Sequence, residues 1–290
     1  MISQLIVNGL SVGSLYALIA LAMVIIYRAS EVPNFAQGEM AMISTYVAYT
    51  YLTIYQWPTY IALPGALLVA ALLGVGLEFA FVRRAKEPHI LDFILITIGM
   101  QLFLHGLAGW KWGADQKSFS LPIVETDVLN LGAFVVSTLD LVTMIVAGGL
   151  MLLLFLFFKH TKLGVAMQAT QQNRMAARTN GIRTNRIMAV TWGISSFVGA
   201  VAGILFAPTA TLDPNLMWDP LLKGFAAAVL GGMTTLVGAV LGGLLLGLIE
   251  NLFGAYVSLE FKSVVAFLMI VAVLWFRPSG LFGRHYVRKV

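Results

Sequence analysis

The residues best suited to chemistry in this chain are few, and each sits among apolar neighbours. Gly9-Leu10-Ser11-Val12-Gly13 matches the G-x-S-x-G pattern of a nucleophile elbow. That chemistry needs a sharp strand-to-helix turn, whereas this match lies inside a continuous apolar run. The same glycines read G-x-x-x-G and, with Ala17, form a small-residue stripe that suits close helix packing, as do Gly238 with Gly242 and Gly243 with Gly247. His89, His105, His160 and His285 are scattered and make no i, i+4 pair with a carboxylate partner, so no metal site is indicated. The chain has no cysteine, which removes disulfides and thiolate ligands. It also has no G-x-x-x-x-G-K-[ST] segment. It cannot cradle ATP phosphates by the P-loop route, and any ATP dependence must come from a partner. No catalytic residue and no cofactor bound by this chain are expected.

The polar residues that remain interrupt the apolar runs. The first interruption is Pro33-Asn34-Phe35-Ala36-Gln37-Gly38-Glu39-Met40. Pro33 cannot continue a preceding helix, Asn34 is a suitable N-cap, and Gln37 would then fall at N3, where its amide could reach back as in a capping box. A helix is expected to start there. The segment either ends one span and begins the next at the interface, or carries Glu39 toward a pore, a partner or a substrate. A carboxylate facing lipid is costly, which favours the second role. Glu78 and Glu250 pose the same choice, although a Glu near a span end can snorkel. Tyr46, Tyr49, Tyr51, Tyr55, Trp57 and Tyr60 cluster where the second span would end, and an aromatic belt accounts for most of them.

The elements that position these groups follow from composition. With 59% hydrophobic and 11% charged residues over 290 positions, and a mean hydropathy of +0.89, the chain is too apolar for a soluble domain. Runs of about 20 apolar residues recur along its length, as helices need to cross a bilayer. The alternating ten-residue segments of a membrane β-barrel are absent. The expected fold is therefore all-α: a single polytopic transmembrane domain over residues 1–290. Candidate spans lie near 4–27, 36–55, 60–82, 90–110, 134–158 and 187–208, followed by a Gly-rich region at 221–252 and a last span near 262–276. The first run lacks the charged start of a secretory signal and is read as a retained span.

If the spans alternate, most of the 18 Lys and Arg residues fall on one side. These are Arg28, Arg83, Arg84, Lys86, those of the 159–186 loop and those of the tail from Arg277 to Lys289. The positive-inside rule places that side in the cytoplasm, the N-terminus outside and the C-terminus inside. Asp115, Glu125, Asp127, Asp213 and Asp219 fall outside. The net charge of +5 is then topological and implies no nucleic-acid patch. Because both flanks of 221–252 lie outside, that region must cross an even number of times, either as a re-entrant half-helix with a span-like return or as two short helices. About eight spans result, with interruptions at Pro33 to Met40 and at Gly231 to Gly238. Broken backbone at membrane depth persists only beside protein or a water-filled cavity, and paired interruptions in transporters tend to flank the translocation route.

The loop over about 159–186 is long for this chain. Val165 to Asn180 is rich in helix formers and ends at Gly181, a natural C′ residue, so one surface helix with a docking role is expected.

At this loop the sequence resembles the permease subunits of ABC importers. Ala176, Ala177 and Gly181 fit the small-residue and glycine pattern of their ATPase-coupling segment. More specifically the chain resembles LivH-type permeases of branched-chain amino acid importers. The resemblance rests on the segments Asn8 to Tyr27, Asn34 to Tyr49, Gln172 to Trp192, Lys223 to Glu250 and Arg277 to Gly283. Where members of that family frequently carry His, this sequence has Gln37. The resemblance implies a heteromeric importer in a bacterial inner membrane that moves branched-chain amino acids into the cytoplasm. Its other parts would be a LivM-like permease, two cytoplasmic ATPases of LivG-like and LivF-like type that bind ATP and Mg, and an extracytoplasmic substrate-binding protein. The implied substrate pathway runs past Asn34, Gln37, Gly38, Glu39, Gly231 and Gly232. The implied ATPase contact is Gln172, Asn173, Ala176, Ala177, Gly181 and Ile182. Related permeases serve urea, short amides or aromatic carboxylates, which are the alternative cargoes. A secondary transporter or channel is the alternative class.

Overall fold

The computed structural model describes residues 2–85, 90–121, 128–130 and 135–283. Lys86, His89, Glu125, Asp127, His285 and the tail from Arg284 to Lys289 lie outside the described residues. Most of the described residues are helical. In order, the helices are α1 (Ile2–Ser30), α2 (Gln37–Tyr49), α3 (Thr59–Leu77), α4 (Ile90–Trp112), α5 (Thr138–His160), α6 (Lys162–Gln172), α7 (Arg174–Thr179), α8 (Thr184–Phe206), α9 (Trp218–Gly231), α10 (Leu236–Tyr256) and α11 (Val264–Phe276). Helices α2 and α3 each widen into a π-helical last turn, Thr50–Ile54 and Glu78–Val82. A two-stranded antiparallel hairpin, β1 (Val128–Asn130) and β2 (Val135–Ser137), precedes α5.

Among the described residues six helical segments are long and apolar enough to cross a membrane: α1, α3 with its π turn, α4, α5, α8 with its 3₁₀ end, and α10. Helices α2, α9 and α11 are shorter. The structure thus has the polytopic helical bundle with discontinuous helices that the sequence implies.

Helix α1 is the centre. Its most apolar window is 89% buried, against 22% for α4 and for α5. The sequence permits this because α1 has no charged residue before Arg28 and carries small residues where neighbours approach closest. A Cβ on Gly13 would come within 3.0 Å of the Gly243 carbonyl and the Leu244 Cα on α10, and one on Gly247 would run into the Gly13 backbone. Lipid tails are as apolar as Leu, so no hydrophobic force brings these helices together. Close van der Waals packing of glycine on glycine does that work. Helix α1 ends at Ser30: Glu31 turns into the left-handed region at φ 59°, and Pro33 blocks any continuation.

Helix α8 lies against α1, α2 and α3. At the basic end of the bundle, Arg83 donates to Glu78 through Nη2 at 2.8 Å and Nε at 3.3 Å, and through Nη2 to the Asn185 carbonyl at 3.2 Å. The π turn is what makes this pair possible, because it places residues five apart on one side of the helix. Glu78, 2% exposed, is therefore a tie between α3 and the start of α8.

The Gly-rich region enters and returns, as a half-helix followed by a helix of membrane length. Helix α9, 14 residues and about 21 Å long, runs to the basic end, and α10 returns over 21 residues. Gly232 makes the turn at φ 102°, a conformation that a β-carbon would strain. The carbonyls left open at the end of α9 are satisfied from far along the chain: Leu281 N donates to Leu230 O at 2.8 Å and Phe282 N to Gly231 O at 3.1 Å. Gly231 and Gly232 thus form a corner that holds the Arg277 to Gly283 segment.

The single helix expected over 165–180 is two helices. The Asn173 side chain, at φ −156°, accepts from Ala176 N at 2.9 Å and caps α7, because Asn competes with helix continuation by bonding nearby backbone. Gly181 then ends α7 at φ 83°.

Candidate functional site

The site forms where α2 and α9 begin. Gln37 sits beside Ser195, the twelfth of the 23 residues of α8, so α2 opens at mid-depth of the bundle and not at its surface. Asn34 and Gln37 are 0% and 1% exposed. The capping-box expectation is corrected here. Ala36 is the N-cap of α2 and Gln37 its first residue, with no side-chain cap. Asn34 Oδ1 accepts from Ala36 N at 3.1 Å in a local turn. The Gln37 amide turns outward to α8, donating to the Ser195 carbonyl at 3.3 Å and lying 2.9 Å from Ser195 Oγ. That hydroxyl is also 2.8 Å from the Ala22 carbonyl of α1, so its one proton is shared between two acceptors. One amide therefore links α1, α2 and α8 in the bundle core.

Helix α2 runs parallel to α8 toward the end opposite the basic one, as the contacts of Gly199 with Gln37 and of Gly203 with Thr45 require. Helix α9 runs the other way. The two helices start against each other: a Cβ on Gly38 would meet Leu221 at 3.1 Å and Met217 at 3.5 Å. Two helix N-termini, each a centre of partial positive charge, thus converge near the middle of the bundle, and each has an acid in its first turn, Glu39 and Asp219.

Glu39 is 3% exposed. Its Oε1 lies 3.5 Å from His105 Nδ1 on α4, and the Trp218 indole approaches the same carboxylate. Oε2 has no hydrogen-bond partner among the described residues. One turn into α9, Lys223 Nζ lies 2.7 Å from Asp219 Oδ2 and 2.7 Å from Glu250 Oε1 on α10. Its ammonium also stands 5.6 Å from the Tyr16 ring centroid on α1. Lys223 and Glu250 are buried, while the Asp219 side chain is 59% exposed.

Among the residues singled out from sequence, Asn34, Gln37, Gly38 and Glu39 gather here, and Glu250 joins them through Lys223. Gly231 and Gly232 do not; they lie at the other end of α9. Gln172, Asn173, Ala176 and Gly181 are exposed on the basic end, Ile182 is half-buried, and Ala177 turns inward at 4% exposure. Ser11, the apparent elbow serine, lies inside α1 and donates to Asp140 Oδ1 of α5 at 2.6 Å, a helix-to-helix tie. Tyr46, grouped by sequence with the aromatic belt, is buried and stacks on Trp112 at 5.0 Å, while Tyr55, Trp57 and Tyr60 are exposed.

Sequence reasoning missed His105, Ser195, Trp218 and Lys223. Lys223 carried a usable signal, being a lone cation in an apolar stretch four residues after Asp219. Nothing local marks Ser195 or His105, whose partners are 158 and 66 positions away.

The comparisons with known proteins agree with this architecture. The family model described as branched-chain amino acid transport system / permease component matches residues 5–274. The chain is 32% identical to the high-affinity branched-chain amino acid transport system permease protein LivH of Escherichia coli, covering 98% of this chain and 96% of that one. It is 33% identical to the corresponding permease BraD of Pseudomonas aeruginosa, covering 99% and 97%. The solved structure titled PsaBC from Streptococcus pneumoniae in complex with Fab shares the fold, with a TM-score of 0.51 at 13% identity over 94% of this chain and 91% of that one. A bundle of membrane-length helices broken at mid-depth, matched over nearly its whole length, belongs to the branched-chain amino acid transport permease family.

Proposed function

We propose that this chain is the LivH-like permease of an ATP-driven importer that carries branched-chain amino acids into the cytoplasm. The observation that carries the reading is the meeting of α2 and α9 at mid-depth, with Glu39, His105, Trp218, Asp219 and Lys223 gathered at the junction. A zwitterion crossing the bilayer core needs polar groups to replace its water, and helix N-termini suit its carboxylate. Asn34, Gln37, Gly38 and Glu39 form the pathway wall. Gly231 and Gly232 shape its cytoplasmic floor at the end of α9.

The exposed Asp219 and Trp218 support a second permease, LivM-like, against this face, since a half-exposed carboxylate at mid-depth does not face lipid. The apolar outer surfaces of α4, α5 and α11 face lipid. LivG-like and LivF-like ATPases, which hold the ATP and Mg, dock on α6 and α7 through Gln172, Asn173, Ala176 and Gly181, with Ala177 and Ile182 packed beneath. An extracytoplasmic binding protein delivers the solute to the opposite end. The basic end is cytoplasmic, which puts the N-terminus outside. Closure of the ATPases moves α6 and α7, and α5 and α8, attached at either side, tilt to exchange access.

The test is uptake of labelled leucine into proteoliposomes that contain the complete complex. ATP-dependent accumulation is expected. Uptake driven by an ion gradient through this chain alone, or ATP-driven uptake of urea or aromatic acids in place of leucine, overturns the reading.

A further inference from the structure

Resting on that reading, we propose that Lys223 takes the carboxylate of the transported solute, and that Asp219 is an internal stand-in which the solute displaces while Glu250 remains as the fixed counter-ion. Among the described residues Lys223 is the buried Lys or Arg. It therefore offers a solute carboxylate a full positive charge inside the bundle.

The cluster holds more acid than it needs. A buried ammonium is balanced by one carboxylate, and Glu250, 0% exposed and fixed on α10, supplies it at 2.7 Å. A second acid at the same distance gives the group a net charge of −1, so Asp219 is not needed to neutralise the ammonium.

The two acids are also unlike in freedom. Glu250 is enclosed. Asp219 lies on the same helix as Lys223 at i, i+4, is 59% exposed, and leaves the ammonium by rotating about its own side-chain bonds. The Tyr16 ring closes one further side of Nζ. The side of the ammonium that Asp219 occupies is thus the exposed one, and along the helix Asp219 is flanked by Trp218 and Leu222, both exposed. An apolar solute side chain would lie on those two surfaces. Exchange of one carboxylate for another keeps the Lys223 ammonium paired throughout, and the displaced Asp219, 59% exposed, is left to solvent or to the solute's own ammonium.

The experiment uses the complete complex with its binding protein in proteoliposomes, with labelled leucine as the probe and uptake normalised to complex in the membrane. Asp219→Asn removes the competitor and is expected to lower the leucine KM by about threefold or more. A purely structural ion pair predicts a KM that is unchanged or raised. Lys223→Gln is expected to abolish leucine uptake. Because that variant leaves Glu250 buried and unpaired, the neutral pair Lys223→Gln with Glu250→Gln is made as well. Neutralising both restores any packing role, so uptake that stays at least about tenfold down supports carboxylate binding, and uptake within twofold of the parent overturns it. If the unaltered complex does not take up leucine at all, the proposed function itself fails; if it does and the variants behave as structural ones, only the role of Lys223 fails.

Discussion

Gln37 Nε2 and the Ser195 carbonyl, 3.3 Å apart, join the first residue of α2 to the centre of α8, and no other side chain of the 33–40 segment reaches α8 by a hydrogen bond among the described residues. Gln37→Leu keeps the volume and removes the bond, leaving Ser195 and Asn34 without it in a dry core. The variant is expected to lose about 1–3 kcal/mol of stability. Thermal unfolding in detergent checks this, and an unchanged midpoint refutes the tie.

Glu39 has one carboxylate oxygen near His105 and the other unpartnered. Such a group is costly unless it meets something during transport. Glu39→Gln should reduce ATP-driven uptake by about tenfold, equivalent to about 1.4 kcal/mol. If uptake and its pH profile match the parent, Glu39 is only a packing residue.

Removing Arg83 strands a buried acid. Arg83→Met is expected to cost about 3 kcal/mol, most of it the penalty of an uncompensated Glu78. Adding Glu78→Gln to the same chain should recover most of the loss. A double variant no more stable than the single one would show that the bidentate pair is not what joins α3 to α8.

The α1 and α10 backbones touch at Gly13 and Gly247 with no room for a side chain. Gly247→Val should cost about 3 kcal/mol by overpacking. Its readout is the amount of folded protein recovered from membranes, and recovery equal to that of the parent would mean the seam can open without harm.

At Gly181 the backbone stands at φ 83° and its N–H donates to the Arg178 carbonyl at 3.0 Å. Proline can supply neither. Gly181→Pro should leave the protein in the membrane and let ATP hydrolysis continue while uptake falls about tenfold. Gly181→Asn, which tolerates the left-handed region, should keep most of the coupling. Equal uptake by the proline variant argues against α6 and α7 as the ATPase contact.

Much of this molecule is written in local pattern. The long spans follow from hydropathy because a bilayer imposes one length on every helix that crosses it. The breaks at Pro33 and Gly232 follow from residues that cannot continue a helix or that alone accept its turn. What sequence hides is depth and partnership. Pro33 to Met40 looks the same whether it sits at an interface or in the core; only the long-range bond from Gln37 to Ser195 decides. Asn173 splits a stretch of good helix formers because its own amide caps the second half, a competition that propensity sums pass over. Lys223 went unread although it stands as a lone cation in an apolar stretch; its partner Glu250 is on the next helix, while Tyr16 comes from the first.

The enclosed position of α1 has a consequence for biogenesis. This helix precedes the others in the chain, and although α5 ties to it through Asp140 and Ser11, most of the surface that covers it, on α8, α9 and α10, begins only at Thr184. A nascent chain halted before that point holds its glycine seam open to lipid or to the insertion machinery. Such a chain has inserted but cannot close, and final assembly of the protein waits for its last third.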